Sequence, residues 1–121
     1  MNNDHLIKNV AFSEPLVLME LVSYQEGQVV SRTLAQNEAI TMTLFAFDKG
    51  EGISAHTVPG DALVQILDGE ASITIGDKTV SAKAGEAVVM PAGIAHALNA
   101  EKRFKMLLTL IKKPKSLLSQ K

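Results

Sequence analysis

The sequence predicts an all-β protein, an antiparallel sandwich or barrel, on the basis of three observations. Short apolar segments recur about every ten residues, they are rich in β-branched and aromatic residues, and Gly, Pro, Asp and Asn separate them. The segments that we expect to be strands span 28–34, 40–47, 62–67, 71–75, 79–82, 87–90 and 104–111. No fixed repeat and no linker interrupts the series, which predicts one domain.

Two segments could instead form helices, 16–23 and 104–111. For 104–111 the alternation of side chains and the Pro114 that follows it favour a closing strand. We also expect a strand-like stretch over 16–34, ahead of the main series. The domain then divides into a barrel over about 28–111, an N-terminal extension over 1–27 and a basic C-terminal tail over 112–121.

Two pairs of turn residues predict hairpins. Asp68-Gly69 and Gly76-Asp77 both have the composition of tight turns, and the second pair would join strands that end at Ile75 and begin at Lys78. In the strand before it, 71–75, polar and apolar residues alternate. Such alternation indicates one face toward a core and one toward solvent.

Composition excludes several classes of function. The 121 residues contain no Cys, which removes disulfides, thiolate nucleophiles and Cys-based zinc sites. The formal charge is −1, Trp is absent and Tyr24 is the single tyrosine. We therefore expect no nucleic-acid binding, which requires a basic surface and commonly aromatic stacking platforms. No apolar run reaches the length of about 20 residues that a membrane span needs, and 1–10 lacks the pattern of a signal peptide. We expect a cytoplasmic protein without membrane contact.

Two stretches of the sequence resemble the motifs of the cupin superfamily. In the second stretch, GEAVVMPAGIAHALNA, the residues Gly85, Pro91, Gly93 and His96 have the family's spacing, and Asn99 comes one residue early. In the first stretch, GEGISAHTVPGDALVQILDGE, Gly50, His56 and Gly69 are in register. The resemblance implies an RmlC-like jelly-roll barrel, an antiparallel double-stranded β-helix.

The resemblance also implies a metal site, which this sequence retains only in part. In the family, two His and one Glu of the first motif and the His of the second hold one divalent metal inside the barrel. Here Val58 stands at the second His position and Ala62 at the Glu position, so His56 and His96 are the two ligands that remain. Two imidazoles are fewer ligands than zinc or non-haem iron usually receives from a protein.

A divalent transition metal would need a further donor. Asp61 is next to the Glu position but out of register, so we expect a turn residue; Glu51 and Glu86 are expected to be solvated, and Gln65 and Asn99 would be weaker ligands. The motif positions, together with Met residues that can line an apolar cavity, are the candidate residues of a ligand pocket: His56, Val58, Ala62, His96, Met42, Met90 and Met106.

The resemblance leaves three functions open. The first, which we favour, is binding of a small organic molecule in the barrel, as a sensor or accessory protein, because Val and Ala make the cavity more apolar. The second is a cupin enzyme that uses His56 and His96, a metal-dependent dioxygenase, an isomerase or a decarboxylase, or a metal-free enzyme with one His as general base. The third is a structural interaction module. Because an unpaired edge strand is a template for pairing, we expect a homodimer formed through the N-terminal strands.

Overall fold

Eight β-strands and one short 3-10 helix make up the computed structural model, which describes residues 5–113. The 3-10 helix spans Leu18–Leu21, and the strands are β1 (Val29–Gln36), β2 (Ile40–Phe47), β3 (Gly52–His56), β4 (Gly60–Ile75), β5 (Lys78–Lys83), β6 (Ala87–Met90), β7 (His96–Asn99) and β8 (Phe104–Lys112). The prediction of an all-β protein is confirmed. Between residues 5 and 113, no helix is long and apolar enough to cross a bilayer.

All strand pairs are antiparallel, and β4 belongs to two layers. Its first half pairs with β8 and β6, and β8 continues through β2 to β1, which makes the first sheet. Its second half pairs with β5 and β7, and β7 continues to β3, which makes the second sheet. A single strand of 16 residues therefore connects the two sheets without a loop.

The passage of β4 from one sheet to the other occurs at a bulge, where its register with β8 shifts between Ile66 and Asp68. The predicted hairpin at Asp68-Gly69 is therefore wrong, because these residues lie within the continuous strand. Gly69 has φ +75°, and a Cβ there would overlap the carbonyl oxygen of Arg103. The turn-like composition of this pair reflects a bend inside a strand, where glycine is needed for the same reason as in a turn.

The other predicted hairpin is confirmed. Ile75 pairs with Lys78, so Gly76 and Asp77 form the turn between β4 and β5. The segment 104–111 is a strand, as the alternation predicted, and extends to Lys112. Most of the predicted basic tail, 114–121, and the first four residues of the extension lie outside the described residues.

The main core lies between the two sheets and contains residues from both. Phe47 and Phe104 are fully buried, and their rings stack with centroids 4.5 Å apart. Ala71 and Ile73 of β4 are also buried here, while the alternating Ser72 is half-buried. The complete set of buried residues in this core is Phe47, Ala62, Val64, Ile66, Ala71, Ile73, Ala82, Met90, Leu98, Ala100, Phe104 and Met106.

A second apolar cluster lies on the outer face of the first sheet, where the N-terminal segment packs. Its buried members are Val22, Leu34, Leu44, Ala46 and Leu107. The strand-like stretch predicted over 16–34 is wrong before residue 29, because the chain there forms the 3-10 turn and extended segments across the sheet. The backbone of Lys8 donates to the Leu34 carbonyl at 2.7 Å and fastens this segment.

Replacing Gly69 by Ala should test the bulge. A Cβ would clash with the rigid backbone of residue 103 and also sit at positive φ, so we expect Gly69→Ala to lower the free energy of unfolding by about 3 kcal/mol or more. Gly85→Ala is the matched control, since Gly85 has φ +92° with open space around it. It should cost only the left-handed backbone strain, about 1–2 kcal/mol. Equal losses for the two variants in urea unfolding would show that the close approach at Gly69 is not required.

Candidate functional site

The structure brings His56 and His96 together across two neighbouring strands. They are cross-strand partners in the antiparallel pair of β3 and β7. Their ring centroids are 4.6 Å apart, and the ring planes are inclined at 66° in an edge-to-face arrangement. Two histidines that are 40 positions apart in the sequence thus form one pair.

The two imidazoles of this histidine pair differ in exposure. His56 is exposed, and its Nδ1 lies 3.0 Å from the carbonyl oxygen of Ser54. Because a carbonyl can only accept, Nδ1 of His56 must carry the proton, and Nε2 of the neutral ring is then an acceptor. His96 is 4% exposed, and its buried Nδ1 makes no hydrogen bond with any residue in the range 5–113. An unpaired polar atom in such a position is costly unless a further molecule satisfies it.

Burial lowers the pKa of His96 below its ordinary value of 6.5, and the charge of a protonated His56 lowers it further. The Ile94 carbonyl acts in the opposite direction, although its geometry falls short of a hydrogen bond. Burial penalises the imidazolium because the charged ring loses its hydration. The His96 ring is therefore neutral at pH values above its ordinary pKa.

A cavity of about 60 Å³ lies beside the histidine pair. All of its other lining residues are apolar, and they include three of the predicted pocket residues, Val58, Ala62 and Met90. A cavity of about 150 Å³ is known to hold benzene, so this one admits only a few heavy atoms unless the ligand extends out past His56. The cavity is a small apolar space with two imidazoles in its wall.

Two other predicted pocket residues do not line this cavity. Met42 packs against the cluster on the outer face of the first sheet, on the far side of the barrel wall. Met106 is fully buried within the main core. Four further apolar residues line the cavity and were not predicted from the sequence, Ile53, Leu98, Leu108 and Leu110. Leu108 and Leu110 follow the inward alternation that begins at Phe104 in β8, and this signal could have identified them.

The residues around the histidine pair do not fit a divalent cation. No group of three His, Cys, Asp or Glu side chains that could hold a metal occurs in the described part of the chain. Asp61 lies in β4 with its side chain exposed, and it accepts a hydrogen bond from the Ala92 backbone at 2.9 Å. The expectation that Asp61 is a turn residue is wrong. Its side chain does face outward, as predicted from its place one residue before the family's Glu position. Glu86 is likewise engaged elsewhere, since it accepts from the Lys83 backbone.

Stability should depend on pH through His96. Because its pKa is lowered in the folded state, the unfolded chain binds more protons as the pH falls below 6.5. The free energy of unfolding should therefore decrease by at most about 1.4 kcal/mol per pH unit until the lowered pKa is reached. Thermal unfolding between about pH 7 and pH 5 should show this slope. His96→Gln should flatten it, whereas the exposed control His5→Gln should not.

An independent check is the titration of the His96 ring by proton NMR in the presence of chelator. A midpoint at or above the ordinary value of 6.5 would contradict the effect of burial.

Comparisons with known proteins identify the family. The family model described as "Cupin domain" matches residues 43–111. A conserved protein of unknown function from Streptococcus pyogenes is 43% identical with a TM-score of 0.90, covering 93% of this chain and 98% of that one. A cupin superfamily protein from Desulfitobacterium hafniense is 36% identical with a TM-score of 0.84, covering 88% and 98%.

A third similar structure is longer than this chain. It is a Cupin 2 conserved barrel domain protein from Leptotrichia buccalis, 47% identical with a TM-score of 0.77, and the alignment covers 78% of this chain but 46% of that one. A search of the curated proteins found no match. The family model, the two similar structures of nearly full coverage and the double-stranded β-helix together show that this chain belongs to the cupin family.

Proposed function

We propose that the barrel binds a small organic molecule without a metal, through the cavity beside His56 and His96. The observation that carries this proposal is the unpaired Nδ1 of His96, buried beside an otherwise apolar cavity. A polar atom in that position has its hydrogen-bond requirement met when a ligand or a water molecule enters. The apolar side chains at positions 58 and 62 favour an organic ligand over a hydrated cation.

The chemistry of the imidazoles limits the ligand. His56 uses its Nδ1 proton on the Ser54 carbonyl, so its remaining nitrogen accepts a hydrogen bond. Burial keeps His96 neutral, which does not favour an anionic ligand, and in the tautomer with the proton on Nε2 the unpaired Nδ1 accepts a hydrogen bond. The ligand class that fits is a neutral molecule with an O–H or N–H group on a small apolar body. Its size is set by the cavity of about 60 Å³ and by the open side at His56.

A second candidate function is metal-free acid–base catalysis in the same cavity. The observation that favours it is the pairing of an exposed imidazole with a buried neutral one, 4.6 Å apart by ring centroids. A neutral imidazole can take a proton from a bound substrate, which leaves an imidazolium beside the substrate anion, and the acceptor nitrogen of the neighbouring imidazole can stabilise the imidazolium. Both candidate functions require that a small molecule binds in the cavity beside His56 and His96.

Pairs of fragments that differ only in the donor group should test the proposed ligand class. Phenol and pyrazole should bind with saturable shifts of the Met90 and Val58 methyl signals in NMR spectra. Fluorobenzene and isoxazole, which have nearly the same size but lack the donor, should bind about tenfold more weakly, because one hydrogen bond to a buried nitrogen is lost. His96→Leu should abolish the difference within each pair, and His5→Gln should preserve it. Equal binding within each pair in the parent protein would refute the role of the imidazoles.

A metal-retention experiment should test the part of the proposal that says the site works without a metal ion. After treatment with zinc, nickel or manganese and desalting, the parent protein should keep well under one equivalent, whereas Val58→His combined with Ala62→Glu should keep about one, because it restores four inward donors. Retention of one equivalent by the parent, lost in His56→Ala, would overturn the metal-free function.

We also propose that the chain forms a homodimer through the outer face of the first sheet. The exposed part of this face carries Val89, Ile111 and Ile40, with exposed fractions of 60%, 56% and 37%. The N-terminal segment that packs on the neighbouring part of the face exposes several further large apolar side chains, Leu6, Ile7, Phe12, Leu16, Val17 and Met19. Several large apolar side chains exposed on one face of a protein are typical of an interface.

A second copy fits this surface because the same segment already packs on this face within its own chain. Residues around Leu18 and Leu21 contact the cluster of Leu44 and Leu107. Their exposed neighbours can therefore contact the uncovered part of a partner's face under two-fold symmetry. Strand β1, at the end of the sheet order, adds an edge to the same surface, and the described N-terminal segment bonds to this edge at the Thr33 and Leu34 carbonyls.

Light scattering on a sizing column should test the dimer. The parent should have twice the 13.0 kDa mass of the chain. Val89→Glu combined with Ile111→Lys should give a folded monomer, since charges on the face disfavour its burial. Thr79→Lys, at an exposed position of the second sheet, is the control and should remain dimeric. A monomeric parent, or a dimer that survives the double substitution, would rule out this interface.

A further inference from the structure

A shallow basic depression lies at the end of the barrel away from the histidine pair. It is lined by four cationic residues, Lys49, Lys83, Lys102 and Arg103, around the bulge at Gly69, and Glu70 is the one carboxylate in its wall. Strand β8 begins beside this depression at Phe104 and reaches the histidine cavity at Leu110, about 20 Å away at 3.3–3.4 Å per residue. The depression is therefore separate from the proposed ligand cavity.

Within the described residues, no lysine of this basic depression forms an ion pair with a carboxylate. In the range 5–113, the single ion pair within 4.0 Å joins Arg103 and Asp48. Glu70 is the cross-strand neighbour of Lys83, but its carboxylate accepts a hydrogen bond from the Ser81 hydroxyl. Glu101 lies beside Glu70 in an adjacent depression, Asp48 is paired with Arg103, and Glu86 accepts from the Lys83 backbone. In the wall of the depression itself, four cationic side chains stand against one carboxylate, Glu70.

Arg103 is held in a defined orientation within the depression. Its Nε donates to Asp48 at 2.7 Å, and its guanidinium lies 5.1 Å from the centre of the Tyr24 ring. Asp48 is 8% exposed, and the Gly27 backbone N–H, Arg103 and the Lys49 backbone N–H together lower its pKa to about 2. The carboxylate thus stays ionised and fixes the guanidinium. The two terminal nitrogens of Arg103 have no hydrogen-bond partner between residues 5 and 113.

The backbone at the bulge sets the positions of these cations. Gly69 permits the close approach of the Arg103 carbonyl, and Phe104 pairs with Gly69 directly. Lys102 and Arg103 therefore lie over the bend of β4, opposite Lys83 at the end of β5. Lys49 reaches the same place from the loop after β2. Four cations from three separate segments converge on one surface.

We propose that this basic depression binds a small multivalent oxyanion of the phosphate class. A fixed guanidinium edge suits two oxygens of one phosphoryl group, and the lysines supply further donors around it. Because Asp48 compensates the charge of Arg103, the attraction for the anion comes mainly from the three lysines. The proposal is independent of the small-molecule site at the other end of the barrel.

Titration with inorganic pyrophosphate at constant ionic strength should test this proposal. Backbone amide signals of Lys49, Glu70, Lys102 and Arg103 should shift in a saturable way, while sodium chloride should produce no saturable shift, because simple screening has no specific geometry. Lys49→Gln combined with Lys102→Gln should weaken pyrophosphate binding about tenfold or more, since two charged donors are removed.

The matched control is Lys78→Gln combined with Lys8→Gln, at exposed lysines away from the depression, which should bind as the parent does. His96→Leu should also bind pyrophosphate normally, which separates this site from the proposed ligand cavity. Equal weakening in the control and the test variant, or no saturable shift in the parent, would overturn the proposal. Tighter binding of citrate than of pyrophosphate would overturn the assignment to the phosphate class.

Discussion

The passage of β4 between the two sheets is the constraint on which the rest of the structure depends. One strand supplies hydrogen-bond partners to β6 and β8 in the first sheet and to β5 and β7 in the second. The core can close between the sheets only because the backbone bends between Ile66 and Gly69, where the register with β8 shifts and the ladder then ends. A side chain at position 69 would push the Arg103 backbone away, so the bend and the approach of β8 require the same glycine.

The two ends of the barrel differ in the residues that face the interior, and alternation along the strands decides which residues these are. Toward the start of β4, Ala62 faces inward and leaves room beside His96, whereas Asp61 faces outward and binds the Ala92 backbone. The loss of inward donors makes the cavity apolar, and a neutral His96 is the protonation state that this environment favours. At the other end, Phe47 and Phe104 fill the interior, and the charged residues lie outside them.

The N-terminal segment is attached to the bend of β4 and to the basic depression through the side chains of Tyr24 and Lys105. Burial and the Asp68 carboxylate raise the pKa of Tyr24, whose hydroxyl donates to Asp68 at 2.5 Å. Lys105 lies 4.9 Å from the centre of the same ring and donates to the Met19 carbonyl. Tyr24 therefore fastens the extension against the bend of β4, and the same ring supports Arg103. The Tyr24 ring thus contributes both to the packing of the segment on the sheet and to the orientation of the guanidinium that Asp48 fixes.

The sequence by itself determined the β class, the Gly76-Asp77 hairpin and the positions of the motif residues, because these depend on local alternation, turn composition and spacing. It could also show that Val58 and Ala62 replace two donors. Only the tertiary structure decided that Asp68-Gly69 lies within a continuous strand beside a bulge, that Met42 lies outside the barrel and that Arg103 joins three lysines. These outcomes depend on contacts between distant segments, such as Gly69 with the residue 103 backbone and Nδ1 of His96 with an apolar surrounding. A local sequence pattern indicates where the backbone can bend and which side chains can face inward. Residues distant in the sequence determine which contacts each of those positions makes.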